Sequence, residues 1–189
     1  TTMRLKLYLE KRGATVFTTV KNPTGIRDHH PLQELPAPPA HNRIIPLKSE
    51  QDSCLENRAA VANQVLEKYG QDHTIFISLH YDATNKNVYG MTFWVRPDDM
   101  DQKLANELLA ASEDAHREQS RNGKTQRPLR SEYYKILWKE LNLVKSKLLI
   151  ELGNNQNIDD NYRMRNFLIR EHYALTLHNG IVQYRKGLT

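Results

Sequence analysis

Residues 73–82 read HTIFISLHYD, and the reading of this stretch decides the fold. Its first seven residues, HTIFISL, form a near-continuous apolar run rich in β-branched and aromatic side chains. Such a run, with little polar alternation, marks a strand covered on both faces, as in a parallel sheet flanked by helices. A helix precedes it over residues 53–69, where Leu55, Ala59, Ala62 and Leu66 trace one apolar stripe. Ser53 and Glu56 have capping-box spacing at its start, and Gly70 supplies the stop.

The same alternation extends in both directions. Residues 2–12 predict a helix, with Leu5, Tyr8 and Leu9 on one face and Gly13 after it, and residues 14–20 (ATVFTTV) predict a strand. Downstream, residues 89–95 (YGMTFWV) and 147–152 (KLLIEL) predict further strands. Helices are expected over 101–119 (Leu104, Leu108, Ala111), over 131–141 (Tyr134, Leu137, Leu141) and from about 159 to the end (Ala174, Leu177, Ile181, Tyr184). Residues 121–130 are polar, contain Gly123 and Pro128, and read as loop. Residues 21–52 carry six of the eight prolines and little periodicity. A loop of this length is either a functional lid or an insertion without a catalytic role, and the sequence favours neither. The expected architecture is a single α/β domain over 1–189, a three-layer αβα sandwich around a mostly parallel twisted sheet. A helix closely followed by a strand is half of a βαβ unit, so the first strand is expected before Thr1 and is missing from this sequence.

Composition narrows the function. With 189 residues, 39% hydrophobic and 26% charged, the chain suits one packed domain rather than disorder. No apolar run approaches the roughly 18 residues a membrane helix requires, so no membrane span is expected. The net charge of +5 permits attraction to polyanions, but no nucleic-acid-binding motif accompanies it and nucleic acid is not the expected partner. The lone Cys54 excludes an internal disulfide and a Cys-x-x-Cys site, and with no placed histidine base it reads as inert. A Gly-x-Ser-x-Gly elbow, a Gly-x-Gly-x-x-Gly fingerprint and a phosphate-binding Gly-x-x-x-x-Gly-Lys loop are all absent, which excludes serine-nucleophile, dinucleotide and NTPase chemistry.

Ligands gather beyond the carboxyl ends of parallel strands, and two such ends carry reactive side chains. In the first, Phe76, Ser78 and His80 share a face, with His80 at the rim. In the second, Glu151 closes an apolar run where a charge is costly without a partner. A neutral imidazole is a common zinc ligand, and a nearby carboxylate can take a proton from water. Each residue also has an ordinary reading: His80 as a strand-end histidine, Glu151 as a carboxylate that caps a helix or pairs with an arginine. Of the other histidines, His29, His30 and His41 fall in the Pro-rich segment and read as solvent-exposed, while His73 lies at the wrong end of its strand. His116, His172 and His178 fall on expected helices as surface or packing residues.

Five segments together resemble one family, the zinc-dependent N-acetylmuramoyl-L-alanine amidases of the amidase-3 type. Residues 4–18 (RLKLYLEKRGATVFT) resemble its first helix and second strand, and residues 58–63 (RAAVAN) its second-helix signature. Residues 76–83 (FISLHYDA) resemble the strand with a zinc-ligand histidine. Residues 149–157 (LIELGNNQN) resemble the strand with the catalytic glutamate, and residues 180–184 (GIVQY) the closing helix. The resemblance implies that His80 is a zinc ligand and Glu151 the general base. It also implies zinc as cofactor, peptidoglycan as partner, and a cell-envelope, periplasmic or secreted location. The substrate bond implied is the amide between the lactyl group of muramic acid and L-alanine. The family's other two zinc ligands, a histidine and a glutamate, would fall before Thr1. Either the sequence continues upstream or the chain is a degenerate member, and upstream sequence is the simpler expectation. Two other functions stay open: a metal-free wall-binding or regulatory module of the same fold, and a zinc carboxypeptidase-like peptidase.

Overall fold

The structure, a computed structural model, describes residues 1–18, 50–83, 85–96, 102–119, 130–131 and 134–188. The chain forms two compact units. The first comprises residues 1–16, 77–132 and 147–189; the second comprises residues 17–76 and 133–146. Among the described residues the elements are α1 (Thr2–Glu10), α2 (Glu50–Tyr69), β1 (Phe76–Asp82), β2 (Thr92–Val95), α3 (Lys103–Gln119), β3 (Arg130–Ser131), β4 (Lys147–Asn154), α4 (Ile158–Arg165) and α5 (Phe167–Lys186), with 3-10 turns at Gln71–His73 and Lys135–Leu137.

The sheet has the order β1-β4-β2-β3. β2 runs antiparallel to β4, with Thr92, Phe93 and Trp94 opposite Glu151, Ile150 and Leu149, and parallel to β3. β1 and β4 run the same way: Phe76 N–H bonds Ser146 O (2.9 Å) at one end and Asn155 N–H bonds Asp82 O (2.8 Å) at the other. The fold class is thus mixed α/β as expected, with a small mixed sheet. All eight residues of β4 are buried, which explains the apolar run of residues 148–150 at its centre.

In the first unit, the apolar stripes read from the sequence do bury. Leu5, Leu104, Leu108, Ala174, Leu177, Ile181 and Tyr184 are core residues. α3 and α5 cross closely at Gly180, where an added Cβ would lie 2.9 Å from Leu108 Cα. α1 lies against α5, where Tyr8 hydroxyl donates to Glu171 and Arg4 pairs with the same carboxylate at 3.1 Å. The expected terminal helix is two helices. Asn166 between them is extended (φ −76°, ψ 123°), and its side chain caps α5 by accepting from Leu168 N–H (2.9 Å) and Ile169 N–H (3.4 Å). His172 and His178 lie on α5, and His178 is a buried packing residue tilted against the Tyr8 ring.

Three expected elements differ in the second unit or at its margins. α2 begins at Glu50, so Ser53 is an interior helical position and not a cap. Of the helix expected over 131–141, Ser131 ends the short β3 and the described residues 134–141 hold one 3-10 turn rather than an α-helix. Side chains from α2 and the turn after it hold the backbone that follows in an extended course to β4. Asn63 bonds Leu141 O (2.9 Å) and Leu143 N–H (2.8 Å), while Gln71 bonds Leu143 O (2.8 Å) and Lys145 N–H (3.0 Å). Residues 14–18 form no strand, because a β-branched run becomes one only when a neighbouring strand completes its ladder. The loop expected over 21–52, apart from the start of α2, lies outside the described residues, as do His29, His30 and His41 and, up to residue 129, the loop expected over 121–130. Three strands are shifted as well: β1 starts at Phe76 after a 3-10 turn holding His73, β2 starts at Thr92 rather than at residue 89, and β4 continues two residues beyond Leu152.

Candidate active site

His80 and Glu151 come to one edge of the sheet of the first unit. Both lie near the carboxyl ends of neighbouring parallel strands, His80 two residues before the end of β1 and Glu151 three before the end of β4. The end bonds of the ladder place His80 within one residue of level with Glu151, and adjacent strands are about 4.8 Å apart. Glu151 is buried at 8% exposure, with Thr92 of β2 as its cross-strand partner. His80 is half-buried, and its Nε2 shares a 2.8 Å hydrogen bond with Ser78 Oγ on the same face of β1. Any metal taken at Nε2 has to displace that bond.

The segment that follows β1 is laid onto the end of β4 by polar side chains. Asn154 Nδ2 donates to Asn85 O and Val88 O, both at 2.8 Å, and Asn157 Nδ2 donates to Lys86 O at 2.8 Å. Asp160 Oδ2 accepts from Gly90 N–H (2.8 Å) and Asn154 N–H (2.9 Å), while Oδ1 accepts from Arg163 Nη1 (2.8 Å). Asn157 also caps α4, accepting from the N–H groups of Asp159 and Asp160 at 3.1 Å. Tyr81, beside His80 in sequence, lies over Gly153: a Cβ there would meet Tyr81 Cε2 at 3.0 Å and Asp160 Cβ at 3.2 Å. Burial, with the Asp160 charge adding to it, pushes the Tyr81 phenol up to about 12, against the opposing pull of Arg165.

Sequence reasoning singled out His80 and Glu151 and passed over Asn154, Asn157 and Asp160. The signal was present in the run of residues 153–160 (GNNQNIDD), where an Asn three residues before an Asp is a helix start.

A family-wide sequence model of the N-acetylmuramoyl-L-alanine amidases matches residues 1–183. The chain belongs to that family. Similar solved structures share the fold. The CwlD amidase of Clostridioides difficile, solved in complex with the GerS lipoprotein, is 18% identical with a TM-score of 0.71, over 98% of this chain and 83% of that one. The Ami1 amidase of Mycobacterium smegmatis is 18% identical at a TM-score of 0.60, over 98% of this chain and 74% of that one. The catalytic domain of the CwlV amidase of Bacillus (Paenibacillus) polymyxa var. colistinus is 18% identical at 0.56, over 69% of this chain and 64% of that domain. The chain thus spans just under two thirds of that domain's length. No curated protein matches the sequence significantly.

Amidases of this family are generally zinc-dependent and act on the cell wall. Among the described residues, no three His, Cys, Asp or Glu side chains cluster as a metal site. One imidazole is short of the three protein ligands a catalytic zinc takes, so the described residues do not by themselves fit the ion. No described helix is long and apolar enough to cross a membrane.

Proposed function

We propose that residues 1–189 act as one catalytic domain that hydrolyses the amide between the lactyl group of N-acetylmuramic acid and L-alanine in peptidoglycan. The observation that carries this reading is Glu151 itself. It is a buried carboxylate at the carboxyl end of an interior strand, in a chain matched to the amidase family over residues 1–183. Glu151 takes a proton from the attacking water as oxygen bonds to the amide carbon. When the carbon–nitrogen bond breaks, the same carboxyl returns that proton to the leaving amine of L-alanine. His80 is the imidazole at this rim offered to a metal ion, and zinc dependence is part of the proposal. Acting on the wall implies an extracytoplasmic location in the envelope.

The competing reading is a metal-free module of the same fold that binds or regulates without cleaving. Two measurements on the full protein separate them. Mass spectrometry of digested cell wall should show muropeptides cut between lactyl group and alanine, and metal analysis should return about one zinc per chain. Intact lactyl–alanine bonds together with a zinc content near zero would establish the binding module instead.

A further inference from the structure

We propose that Asp160 is a positioning residue, which acts by fixing the end of β4, three residues beyond Glu151, to the segment that leads into β2. The proposal rests on the reading of Glu151 and His80 given above. In a regular parallel ladder begun by the Phe76-to-Ser146 bond, the carbonyl of Asp82 receives the N–H of Asn154. Here Asn154 N–H goes to Asp160 Oδ2, and Asp82 O takes the next N–H along, that of Asn155. The carboxylate has captured one rung of the ladder, and β4 contains one residue more than β1 needs. Pairing with β2 is regular through Leu149, Ile150 and Glu151, and the rung taken by Asp160 lies beyond them at Asn154. The same carboxylate oxygen holds Gly90 N–H, so the strand end and the segment between β1 and β2 are fixed to one atom.

A simpler role for Asp160, complementing the positive end of α4, does not account for its surroundings. Asp159 in the same turn is exposed and fills that role without burial. Asp160 is 1% exposed, and burying a carboxylate is costly unless several donors meet it. Three do, and they come from three segments: Gly90 before β2, Asn154 at the end of β4, and Arg163 in α4. Gly153 completes the device, since the Tyr81 ring and Asp160 occupy the space a side chain would need.

The test uses the full chain, with Asp160→Ala, Asp160→Asn and a control, Gly180→Ala, that weakens the fold away from the site. Asp160→Ala should lower kcat for lactyl–alanine cleavage about 10²-fold while KM stays within about twofold. Asp160→Asn should recover most of the rate, because its amide oxygen still accepts from both N–H groups. Hydrogen exchange at the Gly90 and Asn154 amides should be fast in the alanine variant and slow in the other two. A folded Asp160→Ala protein with the kcat of the control overturns the proposal. Should the alanine variant not fold, Asp160→Asn with full activity and both amides unprotected overturns it equally. If the native chain cleaves no wall, the amidase reading fails, and the backbone amide shifts of His80 and Glu151 decide the positioning role. Shifts in Asp160→Ala support it, and unchanged shifts overturn it.

Discussion

The two strands that carry the candidate site differ in nearly everything except direction. β4 is interior, buried along its whole length, and its end is tied down by Asn154, Asn157 and Asp160. β1 stands first in the order of the described sheet, and Ser78 alone of its seven residues is buried. The carboxylate proposed to move the proton sits on the first, and the imidazole proposed to meet a metal sits on the second. A proton carrier gains from a fixed, partly dry setting, whereas a group that takes a ligand has to be reached from solvent.

The strongest way to break that contrast is Glu151→Gln. The amide fills the same space on β4 but takes no proton, so lactyl–alanine cleavage should fall about 10³-fold with the thermal midpoint little changed. Mass spectrometry of released muropeptides reads the rate and circular dichroism the fold. A variant that keeps full rate removes Glu151 from the chemistry and leaves β4 as a structural strand.

Next in size is a change far from both strand ends. Gly180→Ala puts a methyl group 2.9 Å from Leu108 Cα, and backbone, unlike a flexible side chain, cannot swing aside. The α3–α5 crossing must widen, at a cost of about 1–3 kcal/mol in urea unfolding. Activity per folded molecule should hold, which separates the helix layer from the site. A loss of kcat equal to the loss seen on disturbing β4 would show that the two regions are not independent.

The same contrast explains what the sequence made legible. β4 and α5 were readable because burial wrote long apolar runs and a regular stripe into them: KLLIEL, and Ala174, Leu177, Ile181 and Tyr184. His80 and Glu151 stood out because each is a polar group closing such a run. Residues 131–141 misled because Tyr134, Leu137 and Leu141 keep helical spacing, while Asn63 and Gln71, distant in sequence, hold the backbone of residues 141–145 that follows. No local pattern reports such long-range partners. Over residues 14–18 the expected strand failed for a related reason, since β-propensity says a segment fits a pleated surface, not that a neighbouring strand is present. Asp160 was hidden by adjacency: Asp159 and Asp160 look alike in sequence, yet one is exposed and the other is buried with three bonds.

A smaller effect is expected from Asn157→Ala. The substitution removes the cap of α4 and the bond to Lys86 O, and should cost about 1 kcal/mol in urea unfolding. Because Asn157 holds the post-β1 segment to β4 from outside while Asp160 does so from within, hydrogen exchange should quicken at Asp159 and Asp160 before it quickens at Gly90. Faster exchange at Gly90 first would reverse the order of importance assigned to the two side chains.

The smallest effect tests where the strands meet, at Tyr81 over Gly153. Its phenol is pushed up to about 12 by burial first and by the Asp160 charge second, from an ordinary value of 10.0. The folded state therefore holds this proton where the unfolded chain has released it. The stabilisation is fully present below about pH 10 and is lost as pH rises toward 12, so stability falls across that window. Tyr173 shifts in the same direction through its own burial, so the measurement is a difference: unfolding free energy against pH for the native chain and for Tyr81→Phe. The phenylalanine chain should lose less stability between pH 10 and 12, by a margin kept small because the Tyr81 ring is only partly buried. Equal slopes would mean that neither burial at the end of β4 nor the Asp160 carboxylate holds the Tyr81 proton.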